Sequence, residues 1–141
     1  MSINIQRNQK KRVVIVGGGL GGLRLAEDLY GSGMQVVLID KNNFHQFPPL
    51  IYQIASAGID PSSISFPFRQ IFRKRKDFYF RMAEARMVDT DKKILQTSIG
   101  KIDYDYLVLA AGATTNFFGN KNIEEWAIPM KTVPEAMGLR N

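Results

Sequence analysis

The residues most suited to binding a ligand in this chain are three glycines at a fixed spacing and an aspartate that follows them. Gly17, Gly19 and Gly22 fill the pattern Gly-x-Gly-x-x-Gly directly after the apolar run 13–16. The first glycine allows a tight turn, the second lets the backbone approach a pyrophosphate, and the third permits a helix to pack closely on a strand. Asp40 comes 18 residues after Gly22, where a carboxylate can accept hydrogen bonds from both ribose hydroxyls. The pattern predicts a site for a dinucleotide with an unphosphorylated ribose.

A strand, a helix and a second strand must position these residues. The apolar run after Arg12 predicts the first strand, and apolar residues at helical spacing over 23–30 predict a helix that ends at 31–33. The apolar run 35–39 predicts a parallel strand that is covered on both faces. The N-terminus of the helix would present backbone N–H groups and a positive dipole end to the phosphates. A second interpretation is that Asp40 only caps the turn that follows it.

The remaining pattern predicts an α/β fold, a Rossmann-like domain with a parallel sheet and a small inserted antiparallel β-sheet. The parallel sheet would regain a strand over 104–111, and a helix would begin near Pro134. Short helices are expected over 50–57 and after Pro67. Alternation over 78–88 and 93–97 around a polar turn predicts antiparallel strands. Such an insertion is unusual in simple nicotinamide dehydrogenases and favours a flavin.

Composition limits the class of protein. The 141 residues are the length of one domain, with 45% hydrophobic and 23% charged residues, which are ordinary globular values. Residues 1–11 are polar and are expected to form a mobile basic tail, which leaves 12–141 as the folded segment. No apolar run is long enough to span a membrane and no signal peptide is visible, so we expect an intracellular protein.

Charge and cysteine content limit the kinds of binding partner and chemical site that this chain can have. The net charge of +6 is concentrated at 10–12 and 73–76. Solvated surface is the favoured interpretation of these clusters, an anionic membrane surface is second, and nucleic acid is not expected because no aromatic residues alternate with the basic ones. The chain has no cysteine, which excludes disulfides, thiolate metal sites and a cysteine nucleophile within these residues.

Taken together, several segments resemble the N-terminal part of type II NADH dehydrogenases, flavoproteins that pass electrons from NADH through FAD to a membrane quinone. The similarity covers nearly the whole chain from Arg12 onward. Its more particular segments are Leu-Ile-Asp-Lys-Asn-Asn-Phe-His at 38–45, Pro-Leu-Ile-Tyr-Gln-Ile-Ala-Ser-Ala-Gly at 49–58, Tyr-Asp-Tyr-Leu-Val-Leu-Ala-Ala-Gly-Ala-Thr-Thr-Asn-Phe-Phe-Gly at 104–119 and the residues from Lys131-Thr132 to Arg140-Asn141. Two related classes, disulfide reductases and sulfide:quinone oxidoreductases, use cysteines that this chain lacks.

The resemblance implies a set of FAD-binding residues. The glycine turn would hold the pyrophosphate of FAD. Asp40 and Lys41 would hold the adenosine ribose, and the backbone at Ala85 would receive the adenine. His45 would lie toward the flavin, although a structural hydrogen-bonded role is equally open for this lone histidine, and no metal is expected. Ala111 and Gly112 would close over the cofactor, where the family usually has a threonine in place of Ala111. The implied set is Gly17, Gly18, Gly19, Leu20, Gly21, Gly22, Asp40, Lys41, His45, Ala85, Ala111 and Gly112.

The function implied is an NADH:quinone oxidoreductase in which the flavin does the chemistry, so no catalytic residue is assigned here. In this family the nicotinamide site, the quinone contacts and the membrane-associating helices lie farther along the chain. We therefore expect a fragment that is not catalytically complete and could self-associate, from a cytoplasmic protein that binds peripherally to the inner face of the membrane. Two alternatives stay open: an NAD-binding Rossmann domain of a dehydrogenase, and a non-catalytic redox-sensing or membrane-surface module.

Overall fold

The computed structural model describes residues 2–141, which form two compact units. The first unit contains the residues up to His45 together with Pro67–Ala111, and the second contains Gln46–Phe66 and Gly112–Asn141. The strands are β1 (Arg12–Val16), β2 (Gln35–Asp40), β3 (Phe44–Gln46), β4 (Ser65–Pro67), β5 (Phe78–Met82), β6 (Ala85–Asp89), β7 (Ile94–Thr97), β8 (Gly100–Asp103) and β9 (Tyr106–Leu109). The helices are α1 (Leu20–Asp28), α2 (Ile51–Ala55), α3 (Phe68–Ile71), α4 (Lys121–Trp126) and α5 (Val133–Arg140), with 3-10 turns at Pro48–Leu50 and Pro61–Ile64.

A four-stranded parallel sheet organises the first unit. Its strand order is β5-β2-β1-β9, with Val14 opposite Val37 on one side and Leu107 on the other. Every residue of β1 is buried, as is β2 up to Ile39, because both faces of the sheet are covered. The predicted strand–helix–strand opening and the α/β fold class are confirmed.

Two apolar layers cover this sheet. On one face, Val13, Ile15 and Leu38 pack with Ala26 of α1 and Phe68 of α3. On the other face, residues of β1 and β2 pack against the three-stranded antiparallel sheet β6-β7-β8. The inserted antiparallel sheet that the sequence predicts is therefore present, and it forms one layer of the core.

The segment 78–88 differs from its prediction as a single antiparallel strand. Residues Phe78–Met82 instead form β5, which runs parallel to β2, and only Ala85–Asp89 joins the antiparallel sheet. The prediction was wrong because β5 is an edge strand of the sheet and is only partly covered, with Phe80 as its one buried residue. It therefore lacks the continuous apolar run of a parallel strand that is covered on both faces. The third antiparallel strand, β8, and the short helix α4 were not predicted.

The N-terminal residues differ from the expected mobile tail. Ile3 and Ile5 are 5% and 7% exposed, and they belong to the apolar layer that contains Leu95 and Ile102. The Ile3 N–H donates to the carbonyl oxygen of Lys101 at 2.9 Å. Two isolated apolar residues carry too little periodicity to predict an element, yet their burial removes apolar surface from water.

A buried arginine joins this N-terminal segment to the sheet. Arg12 is 1% exposed, and its guanidinium donates to Gln35 Oε1 at 2.5 Å, to Asp103 Oδ1 at 2.7 Å and to the carbonyl of Ile5 at 3.3 Å. The Arg12 N–H donates to Asp105 Oδ2 at 2.7 Å. A buried charge is tolerated only with such partners, so one residue of the basic cluster 10–12 is structural.

We expect Asp105→Asn to flatten the acid dependence of stability. The backbone hydrogen bond from Arg12 holds the pKa of the Asp105 carboxyl below its usual value of 3.8, with Arg7 and Lys11 adding to the effect. A lowered folded-state pKa contributes stability that is complete above the unfolded value and is lost as pH falls through the folded value. Urea unfolding from neutral pH down to about pH 3 should therefore show a smaller loss in the variant. Parallel pH profiles for the two proteins would contradict this role.

The second basic cluster also contains a structural residue. The Arg75 guanidinium contacts two aromatic rings, with its Cζ 5.0 Å from the ring centre of Tyr30 and 4.9 Å from that of Phe72. It also donates to the carbonyl of Ala26 at 3.2 Å, in the last turn of α1. A cation at the C-terminal end of a helix complements the negative end of the dipole. Arg75 thus stabilises the end of the helix that follows the glycine turn.

Helices α2 and α5 form the core of the second unit. Ile51 and Ile54 of α2 pack with Val133 and Ala136 of α5. The start of α5 has a capping box in which Thr132 and Glu135 satisfy each other's backbone N–H groups. The helix that was expected near Pro134 is confirmed. No helix among residues 2–141 combines the length and apolar content needed to cross a membrane.

Candidate functional site

The turn after β1 is built around a glycine whose conformation other residues rarely adopt. Gly17 has φ +101°, and its N–H donates to the carbonyl of Ile39 at 2.8 Å. A Cβ atom at this position would lie 2.3 Å from the carbonyl oxygen of Ala110. Gly17 is therefore required both by its backbone angle and by the close approach of the chain after β9.

Two further glycines are required by packing. A Cβ at Gly22 would lie 1.8 Å from the carbonyl oxygen of Gly17, so the first turn of α1 presses directly on the glycine turn. A Cβ at Gly18 would lie 2.1 Å from Cζ of Phe68, a ring that is 1% exposed. The role of Phe68 beneath the turn was not predicted, since only the apolar face of its short helix is visible in the sequence.

By contrast, the space beside Gly19 and Gly21 is open. Apart from the adjoining residues and the backbone of the helix itself, no atom lies within 4 Å of a Cβ built at either residue. Gly19 precedes the nine-residue helix α1 without any side-chain cap, and the first turn holds no acidic residue. The first N–H groups of a helix have no partner within it and carry the positive end of the dipole. The open cradle at Gly19 therefore fits an anionic pyrophosphate.

Asp40 lies at the end of β2 and holds the glycine turn. Its Oδ2 accepts a hydrogen bond from the Gly18 N–H at 2.6 Å, and its Oδ1 accepts one from the Asn42 N–H at 2.7 Å. The second bond is the turn-capping role that the sequence left open. A carboxylate has about four lone-pair sites, so it can accept ribose hydroxyls in addition to these two bonds.

His45 approaches the same turn from β3. The ring is 5% exposed, and its Nδ1 lies 2.9 Å from the carbonyl oxygen of Gly18. A carbonyl only accepts hydrogen bonds, so Nδ1 must carry the proton. The side chains of Asp40 and His45 thus bind the N–H and the C=O of one residue, Gly18.

The other predicted site residues make fewer contacts with the glycine turn than Asp40 and His45 do. Leu20 begins α1 and is 50% exposed, and Lys41 is exposed after β2. Ala85 begins β6, shortly after Ala83, whose N–H donates to the Asp40 carbonyl at 2.9 Å. Ala111 is exposed beside the turn, with its Cα 3.1 Å from the Cβ position of Gly17. Gly112 belongs to the second unit, where it is exposed with φ +73°.

Residues 11–141 match the family described as pyridine nucleotide-disulphide oxidoreductase. The chain is 35% identical to the type II NADH:quinone oxidoreductase NdhA of Mycobacterium tuberculosis, over 93% of this chain and 29% of that protein. It is 33% identical to the Ndh enzyme of the same organism, over 96% of this chain and 30% of the relative. The chain thus spans about 30% of the length of these relatives.

Solved structures show the same fold. The structure of NDH2 from Plasmodium falciparum in complex with NADH has a TM-score of 0.88 and 25% identity, over 94% of this chain and 28% of that chain. A sulfide:quinone oxidoreductase from Aquifex aeolicus has a TM-score of 0.83 and 30% identity, over 92% of this chain and 30% of its own. Both likenesses extend over nearly all of this chain.

Proposed function

The chain belongs to the pyridine nucleotide-disulphide oxidoreductase family, and we propose that it is the FAD-binding N-terminal part of an NADH:quinone oxidoreductase. One observation carries the proposal: the glycine turn leaves an open cradle at Gly19, where α1 begins, with Asp40 at the end of the neighbouring strand. The similarity to type II NADH:quinone oxidoreductases supports the choice of FAD over other dinucleotides.

The residues of this chain would bind and orient the cofactor. Gly19 and the N-terminus of α1 would hold the pyrophosphate, and Asp40 with Lys41 would hold the ribose. The start of β6 at Ala85 would receive the adenine through its backbone. When bound, FAD would supply the redox chemistry between NADH and a quinone. No side chain of these residues is assigned a proton-transfer role.

The activity of the whole protein is part of the proposal. We propose NADH as donor, a quinone as acceptor and peripheral association with a membrane, through residues other than these. Self-association of the chain is also proposed, supported by β9, an edge strand on which Tyr106 and Leu109 are 54% and 66% exposed. Sedimentation velocity at several protein concentrations tests this last point, and a monomer at all of them would contradict it.

Flavin uptake tests the proposed function directly. The purified chain is incubated with FAD, separated from free cofactor and examined for visible absorption, while NAD binding is titrated in parallel by calorimetry. We expect FAD uptake with its visible absorption, because the cradle and the acid suit the adenosine diphosphate part of FAD. Saturable NAD binding without flavin uptake would instead support a nicotinamide-binding domain. Salt-sensitive binding to anionic vesicles without either nucleotide would support the surface module.

The variant Asp40→Ala is expected to weaken FAD binding by about 1.5–3 kcal/mol, the value of a charge-assisted hydrogen bond. It also leaves the Gly18 and Asn42 N–H groups without their acceptor, so a lower free energy of unfolding is expected as well. Calorimetric titration with FAD measures the first effect and urea unfolding measures the second.

Asp89→Ala is the matched control for this variant. Asp89 Oδ1 accepts a hydrogen bond from the Lys92 N–H at 3.0 Å, so it too caps a turn, but in the antiparallel sheet. The control should lose stability and keep its FAD affinity. Equal FAD affinity in Asp40→Ala and the wild type would show that Asp40 only caps.

A further inference from the structure

We infer that His45 is a positioning residue that fixes the glycine turn in its phosphate-binding shape, and that it does not contact the flavin ring. The inference deepens the proposed function and rests on it, since the anion concerned is the pyrophosphate of FAD. Its basis is the contact between His45 Nδ1 and the Gly18 carbonyl oxygen, 2.9 Å apart in a buried environment.

The contact defines the orientation of one peptide group. The C=O of Gly18 and the N–H of Gly19 belong to the same planar trans peptide and point in opposite directions. A donor at His45 that holds the carbonyl therefore turns the Gly19 N–H away from the histidine. Gly19 is the residue whose surroundings are open and whose position precedes α1.

The opposite side of Gly18 is held as well. Its N–H donates to Asp40 Oδ2 at 2.6 Å, and Phe68 fills the space next to its Cα. Gly18 is thus fixed at its N–H, its Cα and its C=O by three side chains from different parts of the first unit. Glycine otherwise has the widest backbone freedom of any residue, so each contact reduces the entropy lost on binding an anion.

A set of three substitutions separates positioning from direct contact. In His45→Asn the side-chain amide nitrogen is attached to Cγ, as Nδ1 is in histidine, so a donor stays at the same place. His45→Gln carries the same amide one carbon farther out, and His45→Leu has no donor. Asn and Gln are similarly polar, which makes them a matched pair even if the leucine variant folds poorly.

FAD titration of the purified chain is the first measurement. We expect the dissociation constant to rise about tenfold in His45→Leu and His45→Gln, the effect of one lost hydrogen bond, and to stay within about threefold of wild type in His45→Asn. Unchanged affinity in the leucine and glutamine variants would overturn the inference. Equal weakening in all three variants would also overturn it, since that result requires a contact that only the imidazole ring can make.

NMR relaxation of the FAD-free chain is the second measurement and does not depend on the proposed function. The backbone order parameters of Gly18 and Gly19 should be near about 0.85 in the wild type and His45→Asn, and should fall toward about 0.6 in His45→Gln. Equal order parameters in the two variants would overturn the positioning role. Failure of the wild type to bind FAD, with this pattern of order parameters intact, would instead overturn the proposed function alone.

Discussion

Gly19→Val is expected to fold as the wild type does and to lose about 100-fold in FAD affinity. The structure has nothing within 4 Å of a Cβ at this position, so the valine side chain meets no protein atom near its Cβ. It instead fills the cradle in front of α1, where we propose that the pyrophosphate binds close to the backbone. Calorimetric titration with FAD measures the loss, and urea unfolding verifies that the fold is retained.

The matched control for this variant is Gly138→Val. Gly138 lies in α5, and a Cβ there also has no atom within 4 Å. Both substitutions add the same side chain where the surrounding space is open, and only Gly19 belongs to the glycine turn. Equal FAD affinity in Gly19→Val and Gly138→Val would show that the pyrophosphate does not bind at Gly19.

Gly22→Ala is expected to destabilise the fold by about 3 kcal/mol or more, at the upper end of overpacking effects. The added Cβ would lie 1.8 Å from the Gly17 carbonyl oxygen, and that atom is backbone that no rotamer change can move. Helix α1 would have to move away from β1, which opens the apolar layer that contains Ala26. Urea unfolding at neutral pH measures the change in free energy.

Gly21→Ala provides the comparison at the neighbouring residue. A Cβ at Gly21 meets nothing within 4 Å, and alanine has a higher helix propensity than glycine by about 1 kcal/mol. This variant should be as stable as the wild type or more so. If the two substitutions destabilise the chain equally, the loss comes from the flexibility of the turn and not from the contact between Gly22 and Gly17.

Much of the fold could be predicted because its signals are local. The apolar runs of β1 and β2 and the helical spacing after Gly22 each depend on neighbouring residues, and the structure has all three elements. Phe78–Met82 was misassigned because the direction of a strand depends on its partner, and its partner β2 is about 40 residues away. Ile3 and Ile5 were assigned to a tail because their burial depends on residues around Leu95 and Ile102.

For the candidate site, too, some features could be predicted from the sequence and others could not. The positions of Gly17, Gly19 and Gly22 follow from spacing, which the sequence displays directly. Their physical roles differ in a way that the spacing does not show. At Gly22 a backbone oxygen occupies the space where a Cβ would lie, whereas the same space at Gly19 is open. The assignment of FAD to the twelve predicted residues stays a prediction, and the substitutions at Gly19, Asp40 and His45 test it.

The sequence by itself determined that a strand, a glycine turn, a helix and an acid follow one another at the spacing of a dinucleotide site. That order is set by short-range backbone chemistry, because glycine spacing and helical periodicity act over a few residues. Only the tertiary structure brought Asp40, His45 and Phe68 onto Gly18. These contacts join residues 22 to 50 positions apart, and they exist because the sheet and its covering helices pack as one core.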